Sequence, residues 1–226
     1  MCGRYVLTAT PEELQALFGY LDGESFPPRY NIAPTQPIAI VRMSHGARRF
    51  ALVRWGLVPG WVKDPKAFAL LINARAEGLA DKPAFRGAFQ YRRCLVPASG
   101  FYEWRTGPDR RKYPFLIRPR AGGTIAFAGL HESWMGANGS EIDTACIITT
   151  TANATVGTIH ERMPVVIAPG DYERWLDTRA NPPGSVVDLL RPAPENLFEM
   201  VAVSTRVNAA RDDDPGLIEP VAAAGS

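Results

Sequence analysis

Short strand-like runs separated by turn residues occupy most of this chain, and they constrain its fold more than any other feature. In the second half they cover residues 113–117, 124–130 and 142–150, each bounded by Gly-rich or polar turns. Helix signals are brief: Thr10-Pro11-Glu12-Glu13 combines an N-cap, a first-turn proline and a capping-box glutamate. The sequence has no internal repeat and no long linker. We therefore expect an α+β fold, a single domain over residues 1–226 that is rich in antiparallel strands with short peripheral helices.

A β-hairpin is predicted in the first half of the chain. Its arms are residues 37–42 and 49–55, around Ser44-His45-Gly46, so His45 is interpreted as a turn residue rather than a catalyst. Residues 26–35 contain too many prolines for a helix or a central strand, and we expect an ordered, extended loop there. From about residue 212, three aspartates and an Ala/Gly-rich end predict a flexible, solvated acidic tail.

The composition predicts a soluble protein of the cytoplasm. With 46% hydrophobic residues, 226 residues can fill a core without disulfides or metal. No apolar stretch approaches the roughly 20 residues that span a bilayer, and the secretory signal pattern is absent. The three cysteines and three histidines are widely spaced, without CxxC or HxxxH patterns. We therefore expect neither a disulfide framework nor a metal site, and no cofactor.

Charge divides the chain into two halves of opposite sign. Residues 1–120 hold 19 basic and 9 acidic residues, whereas residues 121–226 hold 6 and 14. Of the 25 basic residues 21 are Arg, whose planar fork suits phosphate oxygens. The basic half indicates a polyanionic partner. A GC-biased genome explains the arginines equally well, and composition alone leaves both explanations open.

The first five residues, Met1-Cys2-Gly3-Arg4-Tyr5, allow unusual chemistry at the N-terminus. Cysteine is small enough for ordinary removal of the initiator methionine, which leaves an amine and a thiol on neighbouring carbons. These two groups can attack one aldehyde in succession and close a thiazolidine ring. Their reference pKa values of about 8 and about 8.5 leave a useful fraction of each deprotonated near neutral pH. Taken alone, however, a cysteine at position two is more often inert.

Two aromatic segments contain candidate functional residues. Residues 94–104 indicate two strands broken at Ser99-Gly100, and Glu103 lies there between aromatic residues, where a carboxylate is costly unless paired or functional. Trp55 opens an irregular segment punctuated by Gly and Pro, in which tryptophan serves either as core or as a platform for unstacked bases.

Six short motifs follow one another along the chain. They are Met1-Cys2-Gly3-Arg4-Tyr5, Asn31-Ile32-Ala33-Pro34-Thr35, Asn73-Ala74-Arg75-Ala76-Glu77, Pro97-Ala98-Ser99-Gly100-Phe101-Tyr102-Glu103-Trp104, Ala128-Gly129-Leu130 and His160-Glu161-Arg162-Met163-Pro164. Taken together and in this order, they resemble the SOS response-associated peptidase (SRAP) family. The resemblance covers nearly the whole chain, and only the acidic tail lies outside it.

The resemblance implies an SRAP-like fold and an abasic-site processing protein. Its substrate is the ring-opened sugar aldehyde at abasic sites in single-stranded DNA. Cys2, freed of Met1, forms a Schiff base and then a thiazolidine that shields the site from cleavage. Glu103 and His160 transfer protons, and Asn73 positions the reacting groups.

The resemblance also implies a set of DNA contacts. Phosphate contacts position a strand without reading its sequence, and aromatic or wedging residues hold unstacked bases. The expected DNA-binding residues are Arg4, Asn31, Pro34, Trp55, Arg75, Trp104 and Arg162. We expect a monomer that binds abasic single-stranded DNA, without membrane or metal, and that is nucleoid-associated when crosslinked.

Two other functions stay open at this point. Cys2, His160 and Asn73 superficially resemble a thiol protease constellation, which would make the protein an autopeptidase or peptidase. Alternatively, the chain is a non-covalent single-stranded DNA-binding module in which Cys2 is incidental.

Overall fold

Strands form most of the regular structure in the computed structural model, which describes residues 2–221. They are β1 (Tyr5–Leu7), β2 (Arg29–Ile32), β3 (Pro37–Ser44), β4 (Ala47–Trp55), β5 (Asn73–Arg75), β6 (Arg93–Ala98), β7 (Gly100–Thr106), β8 (Lys112–Pro119), β9 (Ile125–Met135), β10 (Glu141–Thr151), β11 (Arg162–Pro164), β12 (Val166–Ile167) and β13 (Phe198–Ala202). The helices are α1 (Pro11–Phe18), α2 (Pro83–Tyr91), α3 (Ala154–Gly157) and α4 (Tyr172–Leu176). Short 3₁₀ turns span Ala76–Gly78, Pro169–Asp171, Pro183–Ser185, Val187–Leu189, Thr205–Asn208 and Pro215–Leu217. None of the helices within residues 2–221 has the length and hydrophobicity needed to cross a bilayer.

Five strands close into a barrel. Their order is β10-β4-β3-β6-β9, and β9 pairs in turn with β10, so the ring has no open edge at that point. The pairs are antiparallel except β4 with β10, and the short β5 is also parallel to β10. β11 extends the sheet along β10 and β12 along β9. The α+β class with mainly antiparallel strands is confirmed.

A second sheet, in the order β13-β8-β7-β1-β2, packs on the barrel. Tyr5 of β1 lies edge-on to Trp55 of β4, with ring centroids 5.4 Å apart, and Phe101 of β7 contacts Phe127 of β9 at 5.9 Å. These aromatic contacts join both sheets into one buried core. As a strand of the second sheet, β1 is therefore held directly against the barrel.

Two local predictions are confirmed. The β3–β4 hairpin turns at His45 and Gly46, whose φ values of 50° and 75° are the left-handed pair that a two-residue hairpin turn requires. α1 starts with the expected capping box, since the Thr10 N–H donates to Glu13 Oε2 at 2.8 Å and the Glu13 N–H to Thr10 Oγ1 at 3.2 Å.

The expected loop over residues 26–35 contains a strand. β2 pairs with β1 at the edge of the second sheet, and its ladder is intact because the prolines at positions 27, 28 and 34 flank the strand and do not lie within it. The prolines therefore exclude a central strand, as expected, but not an edge strand.

The expected flexible tail from about residue 212 is wrong over the residues that the structure describes. Asp213 Oδ1 accepts the N–H of Asn31 at 3.0 Å and that of Tyr30, and Oδ2 pairs with Arg29. Leu217 is fully buried, and Pro220 bridges to Val203. The aspartates thus fix this segment against β2. The remaining residues of the predicted tail, 222–226, lie outside the described residues.

Candidate active site

Cys2 lies beside Glu103 because β1 pairs with β7. Tyr5 stands opposite Phe101, and the Tyr102 N–H donates to Arg4 O at 3.0 Å, which carries the start of the chain along the Glu103 strand. Both side chains are buried. Burial raises the pKa of the Cys2 thiol, and the Glu103 carboxylate raises it further. The carboxylate and the thiol therefore interact at one buried position.

His160 joins this pair from the barrel. Burial raises the pKa of Glu103, and the nearby His160 partly opposes that shift. His160 precedes β11, and its Nδ1 lies 3.0 Å from Arg162 N and 3.2 Å from Arg162 O. The backbone of Arg162 can thus hold the ring in either tautomer. Three groups able to exchange protons, from three separate segments, meet here.

Asn73 and Arg75 lie on β5, next to β10. The Asn73 amide donates to Ile147 O at 3.4 Å, while its Oδ1 is buried without a hydrogen-bond partner. Arg75, two residues on, pairs in register with Thr149 and is exposed. Asn73 therefore offers an unused acceptor, and Arg75 is accessible to a phosphate.

Arg162 is held by protein atoms. Its guanidinium donates to both carboxylate oxygens of Glu77, at 2.7 and 2.9 Å, and to Thr149 O at 2.6 Å. The hydrogen bond from Arg162 is the main reason why the pKa of Glu77 lies below its ordinary value. Only 12% of the Arg162 side chain is exposed. Arg162 thus braces β10 and the segment after β5 close to His160.

Arg4 links the site to the C-terminal segment. Its Nη1 donates to Asn31 Oδ1 at 2.8 Å and to Val207 O at 2.7 Å, and its guanidinium lies 5.9 Å from the Trp104 ring centre. The Trp104 indole donates to Asn208 Oδ1 at 2.7 Å. Arg4 and Trp104 are both half-buried.

Two of the predicted DNA-binding residues are buried in the protein, and their contact with DNA stays a prediction. Trp55 is fully buried, where it packs on Tyr5 and donates its indole N–H to Ile72 O at 2.9 Å. Asn31 is also fully buried, and its amide donates to three carbonyl oxygens of the C-terminal segment. Pro34 is half-buried in the turn between β2 and β3, and its contact with DNA stays a prediction.

Sequence analysis missed Tyr5 and Glu77 as parts of the site. The Tyr5 hydroxyl is buried without a hydrogen-bond partner, and the Cys2 thiol contributes to its raised pKa after the larger effect of burial. Arg162 Nε, which is also buried, is likewise without a partner. Unpaired buried polar atoms are rare in folded proteins, and a catalytic role is one of the explanations for them. Tyr5 and Glu77 each lie inside one of the six motifs, and that position is the sequence signal that could have identified them. The described residues contain no group of three His, Cys, Asp or Glu side chains placed to hold a metal ion.

This chain is similar in sequence and in fold to known proteins. The family model described as SOS response associated peptidase (SRAP) matches residues 1–210. The abasic site processing protein YoqW of Bacillus subtilis is 36% identical, over 97% of this chain and 99% of its own. The abasic site processing protein YedK of Escherichia coli is 30% identical, over 98% and 100%. A crystal structure of a Bacteroides thetaiotaomicron protein, 23% identical, shares the fold with a TM-score of 0.87 over 98% of this chain and all of its own.

Proposed function

Because this chain belongs to the SOS response associated peptidase family, we propose that it processes abasic sites in single-stranded DNA by bonding covalently to them through Cys2, once Met1 has been removed. The observation that carries the proposal is the position of Cys2, buried beside Glu103, a carboxyl group that in turn interacts electrostatically with His160. A structural cysteine needs no such neighbours, whereas the proposed nucleophile needs both.

The reaction takes place in two additions to one carbon. The Cys2 amine attacks the aldehyde carbon of the opened sugar, and the adduct loses water to give an iminium. The thiol sulfur then adds to the iminium carbon, and its proton passes to a base, which closes a thiazolidine. One water is lost overall. Glu103 is suited to proton exchange with the amine and the opening sugar, because its raised pKa keeps both protonation states accessible nearer neutral pH. His160 provides the second proton-transfer group.

Thiol addition decides between protection and cutting. An amine alone would hold the iminium, which promotes β-elimination and strand cleavage, so an amine without its thiol acts as a lyase. Ring closure consumes that iminium and leaves the strand intact. The thiol therefore gives the protein a shielding rather than a cleaving function.

Neighbouring residues position the DNA. Asn73 Oδ1, buried and unpartnered, can accept a hydrogen bond from the Cys2 amine or a sugar hydroxyl. The exposed Arg75 is placed to bind a phosphate beside the lesion, and Trp104 with Arg4 beneath it offers a surface for a flanking base. The affinity for single-stranded DNA should therefore fall as the salt concentration rises and should depend little on base identity.

The raised pKa of the Cys2 thiol does not favour a general thiol peptidase. Such enzymes lower the pKa of the thiol so that it attacks as a thiolate, whereas burial and Glu103 raise that of Cys2. In the proposed crosslinking the amine attacks first, and the thiol adds to the electrophilic iminium while its proton passes to a base, so a raised thiol pKa is compatible with it. Removal of its own Met1 is the only peptidase activity that the proposal accommodates.

Mass measurement tests the proposal. The purified protein is weighed intact, then incubated with a single-stranded oligonucleotide containing one abasic site and analysed by denaturing electrophoresis. We expect Met1 to be absent and an adduct at the mass of protein plus DNA less one water.

Two variants separate the alternatives. Cys2→Ser should abolish the adduct and keep non-covalent DNA affinity, whereas Cys146→Ser, at another buried thiol, should leave the adduct. A variant with a permanent N-terminal extension has a blocked amine and should also lose the adduct. A thiol protease, in contrast, would keep its activity with such an extension, because it does not use the amine. Wild-type protein that has a free Cys2 but gives no adduct would contradict the crosslinking function.

A further inference from the structure

The tip of the β7–β8 hairpin is a cationic, exposed segment on the strand pair that contains Glu103. Between residues 105 and 112, which we call the basic tip, four of eight residues are cationic: Arg105, Arg110, Arg111 and Lys112. All four are exposed. Within residues 2–221, three of them form no salt bridge, and Arg111 lies only 3.6 Å from Asp109 while 82% of its side chain is exposed.

Asp109, the single acid of the basic tip, serves the turn itself. Its Oδ1 accepts the Arg111 N–H at 3.0 Å, and its Oδ2 accepts the Tyr113 hydroxyl at 2.7 Å. The backbone closes the same turn between Gly107 and Arg111, at 2.9 Å. The acid thus fixes the turn but offsets only part of the positive charge.

The basic tip is rigidly joined to the active site. β7 and β8 pair without interruption from Phe101↔Ile117 to Thr106↔Lys112, and Glu103 lies within that ladder. Arg105 is two residues beyond Glu103, about 7 Å at the usual rise of a strand. Its guanidinium lies 4.9 Å from the Phe115 ring centre, in a cation–π contact that favours this position of the side chain. The contact leaves the guanidinium N–H groups available to bind a ligand. The Lys112 charge also reaches the site, since it lowers the pKa of Glu103 slightly against the larger effect of burial.

We propose that the basic tip binds backbone phosphates of the single strand on one side of the lesion, which gives the protein a second DNA contact besides the one near Arg75. This inference rests on the proposed function, because it takes the lesion to be at Cys2. A rigid hairpin that presents cations about 7 to 10 Å beyond Glu103 lies within a few nucleotides of the lesion. Phosphate is the ligand because arginine forks without protein partners match its oxygens.

The test measures non-covalent affinity in the Cys2→Ser background, with an undamaged single-stranded oligonucleotide. Arg110→Ser combined with Lys112→Ser removes two charges of the basic tip. Arg179→Ser combined with Arg191→Ser removes two exposed charges elsewhere and serves as the matched control. We expect the tip variant to bind about tenfold more weakly at 0.1 M salt, and its salt slope to fall by about 1.4, the value for two lost single-strand contacts. The control should change little.

The same affinity measurement with oligonucleotides that contain one reduced abasic site, which has no aldehyde for the amine to attack, and that are cut short on one side of this lesion locates the contact. Removal of the flank that contacts the basic tip should abolish the difference in affinity between the tip variant and its Cys2→Ser parent. Removal of the opposite flank should preserve that difference. Equal affinity and salt slope in tip variant and parent, an equal loss in the control, or a difference that survives both truncations would each overturn the inference. In those cases normal crosslinking of abasic DNA by the wild-type protein would show that the proposed function stands. Failure of the wild-type protein to crosslink would reject that function and the inference with it.

Discussion

Arg162 and Glu77 face each other in a two-pronged ion pair, with Nη1 2.7 Å from Oε1 and Nη2 2.9 Å from Oε2. Arg75 also interacts electrostatically with this carboxylate. The two arginines expected to bind phosphates thus share an acidic neighbour before any DNA arrives. A phosphate at this place must compete with Glu77 for Arg162.

Glu77→Gln should therefore strengthen DNA binding. Loss of the carboxylate charge frees Arg162, while an amide can still hold its position, so we expect affinity for single-stranded DNA to rise about two- to fivefold, the scale of a partly exposed ion pair. Fluorescence anisotropy in the Cys2→Ser background measures the change. Glu161→Gln, an equal charge change at an exposed neighbour, should give a smaller rise, and equal rises would contradict competition at Arg162.

Glu103→Gln should slow crosslinking by about 10² or more, the usual contribution of a proton-transfer group. Because burial raises the Glu103 pKa, the carboxylate that accepts protons forms only at a pH above the ordinary range for Glu. The crosslinking rate of the wild type should rise as the pH passes through the raised pKa of Glu103, and Glu103→Gln should lack this rise. Single-turnover rates across pH measure it. Glu199→Gln, a half-buried carboxylate on β13, should keep the wild-type profile, and an unchanged profile in Glu103→Gln would exclude the proposed role.

His131 should make the fold less stable in mild acid. Burial, with a smaller effect of Arg42 and Arg92, lowers its pKa to about 3, so in the folded protein it stays neutral while the unfolded chain binds a proton below about 6.5. Stability is therefore lost as pH falls from about 6.5 towards 3, by about 2 kcal/mol between pH 7 and pH 5.

Urea unfolding at pH 7 and pH 5 tests this. His131→Leu, which cannot titrate, should lose about 2 kcal/mol less than the wild type over that range. His45→Asn keeps a residue that tolerates the left-handed turn and should behave as wild type. A His131→Leu protein with the full pH dependence would assign the loss to other groups.

Asp213 should contribute more to the stability of the fold than its neighbour Asp212. Asp213 accepts the N–H groups of Tyr30 and Asn31 and pairs with Arg29, so Asp213→Ala leaves these donors unpaired and should cost about 1 to 3 kcal/mol of unfolding free energy. Asp212 lies 3.7 Å from an exposed Arg211, so Asp212→Ala should lower the unfolding free energy by less than about 1 kcal/mol. Equal effects would mean that the segment is held by its apolar contacts alone.

Local signals suffice to predict much of this fold. The left-handed His45-Gly46 turn and the Thr10–Glu13 capping box depend on residues close in sequence, and both appear where the pattern puts them. Barrel closure has no such signal. β10 pairs with the distant strands β4 and β5 as well as with its chain neighbours β9 and β11, and strand periodicity does not specify the distant partners.

The unpredicted contacts of Trp55 and Asp213 have the same cause. Nothing near Trp55 shows that Tyr5 will cover it, and nothing in the Asp212–Asp214 run shows that its second member will meet backbone N–H groups 182 and 183 residues earlier. An acidic run indicates solvent unless a partner is known. The meeting of Cys2, Glu103 and His160 follows from the motifs only through family resemblance, because three distant segments bring them together.

The bond from Arg4 to the carbonyl of Val207, across 203 residues, has a consequence for how the protein is made. Cys2 is synthesised almost first and Val207 almost last, and contacts of such separation form late in folding. A nascent chain therefore carries Cys2, the proposed nucleophile, throughout translation without the C-terminal segment that holds Arg4 in place. The finished protein acquires this contact in a final step, and a product cut before Val207 has the cysteine but not the contact.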